Sequence, residues 1–129
     1  MDGDVTWVVD MGFTHVKIKV FSPVDPSRFE EVELVVDSGA LHTSIPKEML
    51  EAVGIKPVRT GRYRTFEGKE IERAVGEALI ELMGERRHVP VIFAEEGDAA
   101  VLGVTTLEIF ELKVNPLTGE LERATYPLI

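Results

Sequence analysis

The sequence reads VVDSGALHTSIP over residues 35–46, and within it Asp37 is the most informative position. Residues 32–36 are apolar apart from Glu33, a pattern that predicts a strand whose end is buried on both faces. That strand runs straight into Asp37, and an unpaired carboxylate inside a protein is strongly destabilising. A charged side chain at this point therefore needs a physical reason.

Two interpretations of Asp37 follow from the residues alone. In the first, Asp37-Ser38-Gly39 is an ordinary turn, because aspartate side chains bond their own backbone and Gly39 can supply a positive φ. In the second, Asp37 is a catalytic carboxylate, held where solvent is scarce and its protonation can be tuned. Both interpretations remain open on this evidence.

The rest of the chain predicts an all-β protein with two short helices. Proline at position 46 and glycine at position 54 bracket the first helix, and Thr105 or Thr106 can cap a second one that ends at Phe110. Alternating apolar and polar residues predict the strands, at residues 13–21, 43–45, 62–66, 70–75, 78–83, 89–93, 112–114 and 120–124. The absence of a linker predicts a single domain over residues 1–129.

Composition excludes several classes of function. The chain of 129 residues carries 14 basic and 23 acidic side chains, a net charge of −9, which argues against nucleic-acid or anionic-membrane partners. It has no cysteine, so disulfides and thiol catalysis are excluded. The dispersed histidines predict no metal site. No apolar run reaches the length of a membrane helix, and the acidic start lacks signal-peptide features, so we expect a cytoplasmic protein.

A family resemblance shifts the balance between the two interpretations of Asp37. Residues 35–46 resemble the active-site motif of retroviral-type (retropepsin-like) aspartic proteases, and Val101-Leu102-Gly103 before a helix resembles the second signature of that family. The hairpin over residues 62–75 lies between them, where the family has its flap. The chain is thus identified as a cellular single-domain member, which implies a small closed barrel-like fold with two short helices and a flap hairpin.

The resemblance also implies an activity and a set of site residues. One motif per chain implies an aspartic endopeptidase that acts as a homodimer on extended polypeptides, with a water activated between two Asp37 carboxyls and no cofactor or metal. Ser38 would bond across the dimer axis, Gly39 would let substrate approach closely, and Ala40 would border the first pocket. The residues expected to support the active-site loop are Ser38, Gly39, Ala40, Thr43 and Gly103.

The flap matches the family by position rather than by sequence. Its expected tip has one glycine where relatives are glycine-rich, and the tip residues predicted to bind substrate are Phe66, Glu67, Gly68 and Lys69. Residues 56–75 carry six basic and three acidic side chains, which form either a solvated hairpin or a surface that attracts acidic substrates. The apolar residues 126–129 could add strands to a dimer interface or form a loose tail.

Two other functions are consistent with the same residues. The first is a non-catalytic dimeric module that binds extended peptides in the same groove. The second is a structural β protein whose turn at Asp37 is accidental. A pure binding module has no need of a buried Asp37 followed by Ser38-Gly39, so the sequence favours the enzyme.

Overall fold

A computed structural model describes residues 6–128 of the chain. These residues contain ten strands and two short helices, and they confirm the all-β prediction. The elements, in chain order, are β1 (Trp7–Asp10), β2 (Phe13–Phe21), β3 (Phe29–Val36), β4 (Thr43–Pro46), α1 (Lys47–Ala52), β5 (Arg59–Arg64), β6 (Glu70–Leu82), β7 (Glu85–Ala94), β8 (Val101–Leu102), α2 (Val104–Ile109), β9 (Leu112–Val114) and β10 (Leu121–Arg123).

Most of the strands belong to one sheet that closes on itself. The strand order is β1-β2-β3-β8-β4-β7-β6-β5, and a further pairing between β2 and β6 joins six of the strands into a ring. Pairing is antiparallel except for β3 with β8 and β4 with β7. Strands β9 and β10 form a separate two-stranded sheet. Within the described part of the chain, neither helix is long and apolar enough to cross a membrane.

The interior of the ring is filled by the apolar faces of the alternating strands. On β2, Val16, Ile18 and Val20 are buried and the lysines between them are not. Leu34 and Ile80 pack into the same cluster from β3 and β6. Each fully buried side chain of this size stabilises the fold by about 1.5–3 kcal/mol. The core therefore holds together the strand ends that carry the predicted motifs.

Several strand predictions need correction. The two strands expected over 70–75 and 78–83 are the single strand β6, because Gly76 does not break it. A Cβ at Gly76 would lie 3.0 Å from the Lys56 carbonyl oxygen, so the glycine serves close packing and not a turn. Strand β1, with the half-buried Trp7, is an element that the alternation did not predict.

Candidate active site

Residues 37–42, called the active-site loop after the family resemblance, leave the end of β3 and are fixed by backbone hydrogen bonds. The Asp37 N–H donates to the Leu102 carbonyl at 3.0 Å, and the Ala40 N–H donates to the Asp37 carbonyl at 3.1 Å. The Gly39 N–H donates to Oδ1 of the Asp37 side chain at 2.9 Å. The turn interpretation of this sequence is therefore correct as local geometry, and that geometry also fixes the direction of the carboxylate.

Two expectations about this loop are wrong. Gly39 does not adopt a positive φ; a Cβ there would lie 3.2 Å from Asp37 Oδ1, so the glycine permits a close approach instead. Asp37 is exposed in the single chain and not buried, because Val35 and Val36 at the end of β3 are only half-buried. Ser38 is exposed beside it, so both predicted site residues face outward from one chain.

The second motif packs directly against this loop. The N–H groups of Val104 and Thr105, at the start of α2, donate to the carbonyls of Ala40 and Leu41 at 2.8 and 2.9 Å. Gly103 lies so close to the loop that a Cβ on it would be 2.5 Å from the His42 carbonyl oxygen. The structure thus brings residues 37–42 and 101–105 together, although about 60 residues separate them in the chain.

A buried pair of threonine hydroxyls joins the two segments. Thr43 Oγ1 accepts the Gly103 N–H at 3.0 Å and lies 2.6 Å from Thr106 Oγ1, and both side chains are fully buried. Thr43 was predicted to support the loop, whereas Thr106 was considered only as a helix cap. The cap position is in fact Gly103, and no side chain caps α2.

We predict that Thr43→Val destabilises the protein by about 2–4 kcal/mol, because it leaves two buried polar groups, the Gly103 N–H and the Thr106 hydroxyl, without their hydrogen-bond partner. Urea unfolding followed by circular dichroism measures this loss. The double variant Thr43→Val/Thr106→Val should recover part of it, since only the Gly103 N–H then lacks a partner. A single variant as stable as the wild type would show that this pair does not join the two segments.

The predicted flap is a hairpin made of β5 and β6. Its tip is closed by the Thr65 N–H donating to the Lys69 carbonyl at 2.8 Å and the Gly68 N–H donating to the Thr65 carbonyl at 2.9 Å. Gly68 has a φ of 88°, the left-handed conformation that this turn requires of its single glycine. All four predicted tip residues are exposed, and Phe66 is completely so.

Two arginines of the hairpin face carboxylates on the neighbouring strand. Arg62 faces Glu72 at 3.9 Å and Arg64 faces Glu70 at 3.5 Å, each pair lying across the ladder between β5 and β6. These are surface pairs, which contribute little to stability. They nevertheless reduce the positive field that the sequence suggested for attracting acidic substrates.

A stronger ion pair ties the flap hairpin to the loop over residues 95–100, which leads into β8. Arg73 on β6 makes two hydrogen bonds to the Asp98 carboxylate, at 2.6 and 2.9 Å, and both side chains are mostly buried. The side-chain hydrogen bond from Arg73 is the main reason why the pKa of Asp98 lies below its ordinary value of 3.8. On the other side of this loop, Lys47 of α1 contacts Glu95 at 2.8 Å.

We expect Asp98→Asn to lower stability by about 1–2 kcal/mol at pH 7, through loss of a charge-assisted pair. The pKa of Asp98 is depressed by folding, so its contribution is present above the unfolded pKa and is lost as the pH falls through the folded one. The stability gap between wild type and variant should therefore stay constant from pH 7 to 5 and close below about pH 4. Thermal unfolding at several pH values measures it; a gap that closes between pH 7 and 5 would contradict this assignment.

Comparison with known proteins places these features in a family. A family model described as "gag-polyprotein putative aspartyl protease" matches residues 29–108. The fold is similar to the simian foamy virus (mac) protease in solution, with a TM-score of 0.53 and 19% identity over 74% of this chain and 93% of that one. It is also similar to a retropepsin-like aspartic protease from Rickettsia conorii, with a TM-score of 0.55 and 18% identity over 81% of this chain and 77% of the other. No curated protein sequence matches.

Proposed function

Since the chain belongs to the retropepsin-like family of gag-polyprotein aspartyl proteases, we propose that it is an aspartic endopeptidase whose working form is a homodimer. The reaction needs two carboxylates, and each chain has one Asp-Ser-Gly motif. A twofold axis beside the active-site loop would supply the second carboxylate from an identical chain. The exposure of Asp37 and Ser38 in the single chain supports this arrangement, because both are accessible to a partner.

The proposed mechanism uses the two Asp37 carboxyls as an acid and a base. Two carboxyls about 3 Å apart cannot both ionise, so they share one proton. The ionised member takes a proton from a bound water, whose oxygen attacks the peptide carbonyl, while the protonated member donates to the carbonyl oxygen. The result is a neutral gem-diol with no covalent bond to the enzyme, and the two carboxyls have exchanged protonation states. The newly protonated carboxyl then donates its proton to the amide nitrogen while the other takes a proton from a gem-diol hydroxyl, so the C–N bond breaks and the two peptide products form. Activity should therefore fall at both low and high pH.

The remaining site residues have supporting roles in this proposal. Ser38 would bond across the dimer axis, Gly39 would allow the substrate backbone to pass close to Asp37, and Ala40 would border the first pocket. Thr43 and Gly103 hold the loop from behind through the hydrogen bond between them. The flap tip would close over the substrate, with the exposed tip residues Phe66, Glu67, Gly68 and Lys69 nearest to it.

The observation that carries the proposal is the position of Asp37, where the two family motifs meet. A turn formed by residues 37–39 alone needs no distant neighbour, yet the Asp37 N–H donates to the Leu102 carbonyl of the second family motif. Both motifs of the family thus meet at one residue, Asp37. A catalytically inert protein with the same groove would bind extended peptides without cleaving them. Measuring both binding and cleavage of casein distinguishes the two functions.

The test is cleavage of unfolded casein at mildly acid pH, with the oligomeric state measured by sedimentation under the same conditions. We expect cleavage by a dimer, with specific activity that falls on dilution as the dimer dissociates. A monomer that cleaves casein would refute the shared site. A dimer that binds casein without cleaving it would identify the peptide-binding module instead.

A further inference from the structure

The side chain of Tyr63 presents an unexplained polar group. Its hydroxyl is buried and has no hydrogen-bond partner, and among residues 6–128 it is the one buried side-chain polar atom in that condition. Buried polar groups in native proteins are nearly always paired, because an unpaired one destabilises the fold. A phenylalanine at this position would avoid the penalty. The hydroxyl therefore points to a partner that is absent from the free chain.

The ring of Tyr63 lies between the flap hairpin and the active-site loop, and its hydroxyl lies over Gly61 of the same strand. On β5, Tyr63 and Gly61 lie on the same face, and the phenol covers Gly61 so closely that a Cβ there would collide with it. The ring contacts that of His42 in the active-site loop, with centroids 5.8 Å apart and an angle of 76° between the ring planes. Arg62 and Arg64, by the alternation of the strand, lie on the opposite face.

Strand β5 also offers a surface on which a peptide can lie. It is an edge strand, hydrogen-bonded within the described residues to β6 alone, so one row of its backbone groups has no strand partner. An open depression of about 340 Å³ borders it, lined by Arg62, Tyr63, Arg64 and Glu70. An extended peptide that adds to a sheet edge bonds through its main chain.

We propose that Tyr63 is a substrate-binding residue whose hydroxyl hydrogen-bonds a main-chain peptide group of the bound polypeptide when the flap closes. This inference rests on the proposed function, because it takes the groove between flap and active-site loop as the substrate site. The ring, held by Gly61 and His42, fixes the position of the hydroxyl in advance. Tyr63 thereby recognises the substrate backbone, independently of substrate side chains.

The experiment compares Asp37→Asn with Asp37→Asn/Tyr63→Phe for binding of fluorescein-labelled unfolded casein, read by fluorescence anisotropy. The Asp37 change prevents turnover, so binding is measured whether or not the wild type proves to be an enzyme. We expect the Tyr63 change to weaken casein binding by about three- to tenfold, the effect of one hydrogen bond. In active protein, Tyr63→Phe should raise KM by a similar factor.

Thermal unfolding of the free protein supplies the second readout. Tyr63→Phe should leave the melting midpoint unchanged or raise it, since the group removed has no partner. Tyr126→Phe is the matched control for stability, because the Tyr126 hydroxyl donates to the Leu112 carbonyl at 3.2 Å and its removal should lower the midpoint.

Four results would overturn the proposal, three of them seen in the binding and unfolding measurements. The first is an unchanged casein affinity in Asp37→Asn/Tyr63→Phe, and the second is no casein binding by either protein. The third is a melting midpoint that falls together with the affinity, which would show that the hydroxyl has a structural role. The fourth is seen by sedimentation of the same samples, which measures dimer dissociation. If Tyr63→Phe weakens the dimer but leaves the casein affinity of each dimer unchanged, the hydroxyl bonds the other protomer and not the substrate. Failure of wild-type cleavage alone would remove the proposed enzyme activity and leave the binding comparison intact.

Discussion

Asp37→Asn should lower the rate of casein cleavage by at least about 10³-fold and leave the fold intact, because an amide can neither accept the water proton nor share one with its counterpart. The fold should tolerate the change. Asp37 is exposed, and its side-chain bond, from the Gly39 N–H, can be accepted equally by an asparagine oxygen. The measurements are initial rates of cleavage and melting midpoints for both proteins.

The chain offers a close control for this substitution. Asp25 is also exposed and also accepts a backbone N–H two residues ahead, from Ser27 at 3.1 Å. Asp25→Asn makes the same chemical change in the same kind of turn, far from the second family motif in sequence. Its activity should match the wild type. Equal loss in both variants would indicate damage to turns in general, and residual cleavage by Asp37→Asn would refute the proposed acid and base.

Mixed dimers give a quantitative extension of this prediction. If wild-type and Asp37→Asn subunits exchange freely in equal amounts, only about one quarter of the dimers carry two aspartates. Activity should then fall to about one quarter of that of the wild type at the same total protein. A complete site in each chain would leave one half. The curve of activity against wild-type fraction, quadratic or linear, decides whether the site is shared.

Local patterns in the sequence predicted the parts of the site that depend on neighbouring residues. The turn at Asp37 and the hairpin tip over residues 66–69 follow from the chemistry of short segments, and the structure contains both. The strands of the core follow from alternation, as on β2. These features need no knowledge of which segments meet in space.

Contacts between distant segments could not be predicted in this way. Thr106 lies 63 residues from the Thr43 hydroxyl that it contacts, and Asp98 lies 25 residues from Arg73. No local pattern indicates that either threonine belongs to a buried pair of hydroxyls, since threonine also suits a solvent-exposed helix end. The exposure of Asp37 could not be predicted for a related reason. An apolar run at a strand end indicates that the run can be buried, but it does not show whether other segments of the same chain cover it.

Gly103→Ala should have the largest effect on stability, a loss of at least about 3 kcal/mol and of about 10 °C in the melting midpoint. Its φ of −94° suits any residue, so backbone strain is not the cause. The cause is a steric collision between the added methyl group and the backbone of the active-site loop. A Cβ would lie 2.5 Å from the His42 carbonyl oxygen and 2.9 Å from that of Ala40, and both are backbone atoms that cannot rotate away. Room for the methyl group requires the active-site loop itself to move.

The Gly12→Ala variant is the control that separates this collision from the general effect of replacing glycine by alanine. Gly12 has a φ of +81° and nothing within 4 Å of an added Cβ, so Gly12→Ala should lose only about 1 kcal/mol, from φ strain. Chemical denaturation of the two variants side by side measures the difference. Equal losses would show that the active-site loop yields easily to a methyl group at position 103.

Displacement of the active-site loop by Gly103→Ala should also lower kcat. The Ala40 carbonyl that the methyl group would strike accepts the Val104 N–H, and the Asp37 N–H is bonded to Leu102, the neighbour of Gly103. Any shift that relieves the collision therefore moves the loop relative to the bond that orients Asp37, and misplacement by about 1 Å can lower a rate about 10²-fold. We expect Gly103→Ala, assayed well below its melting midpoint, to lose kcat while Gly12→Ala keeps it. A folded Gly103→Ala protein with wild-type kcat would show that Gly103 stabilises the fold without positioning Asp37.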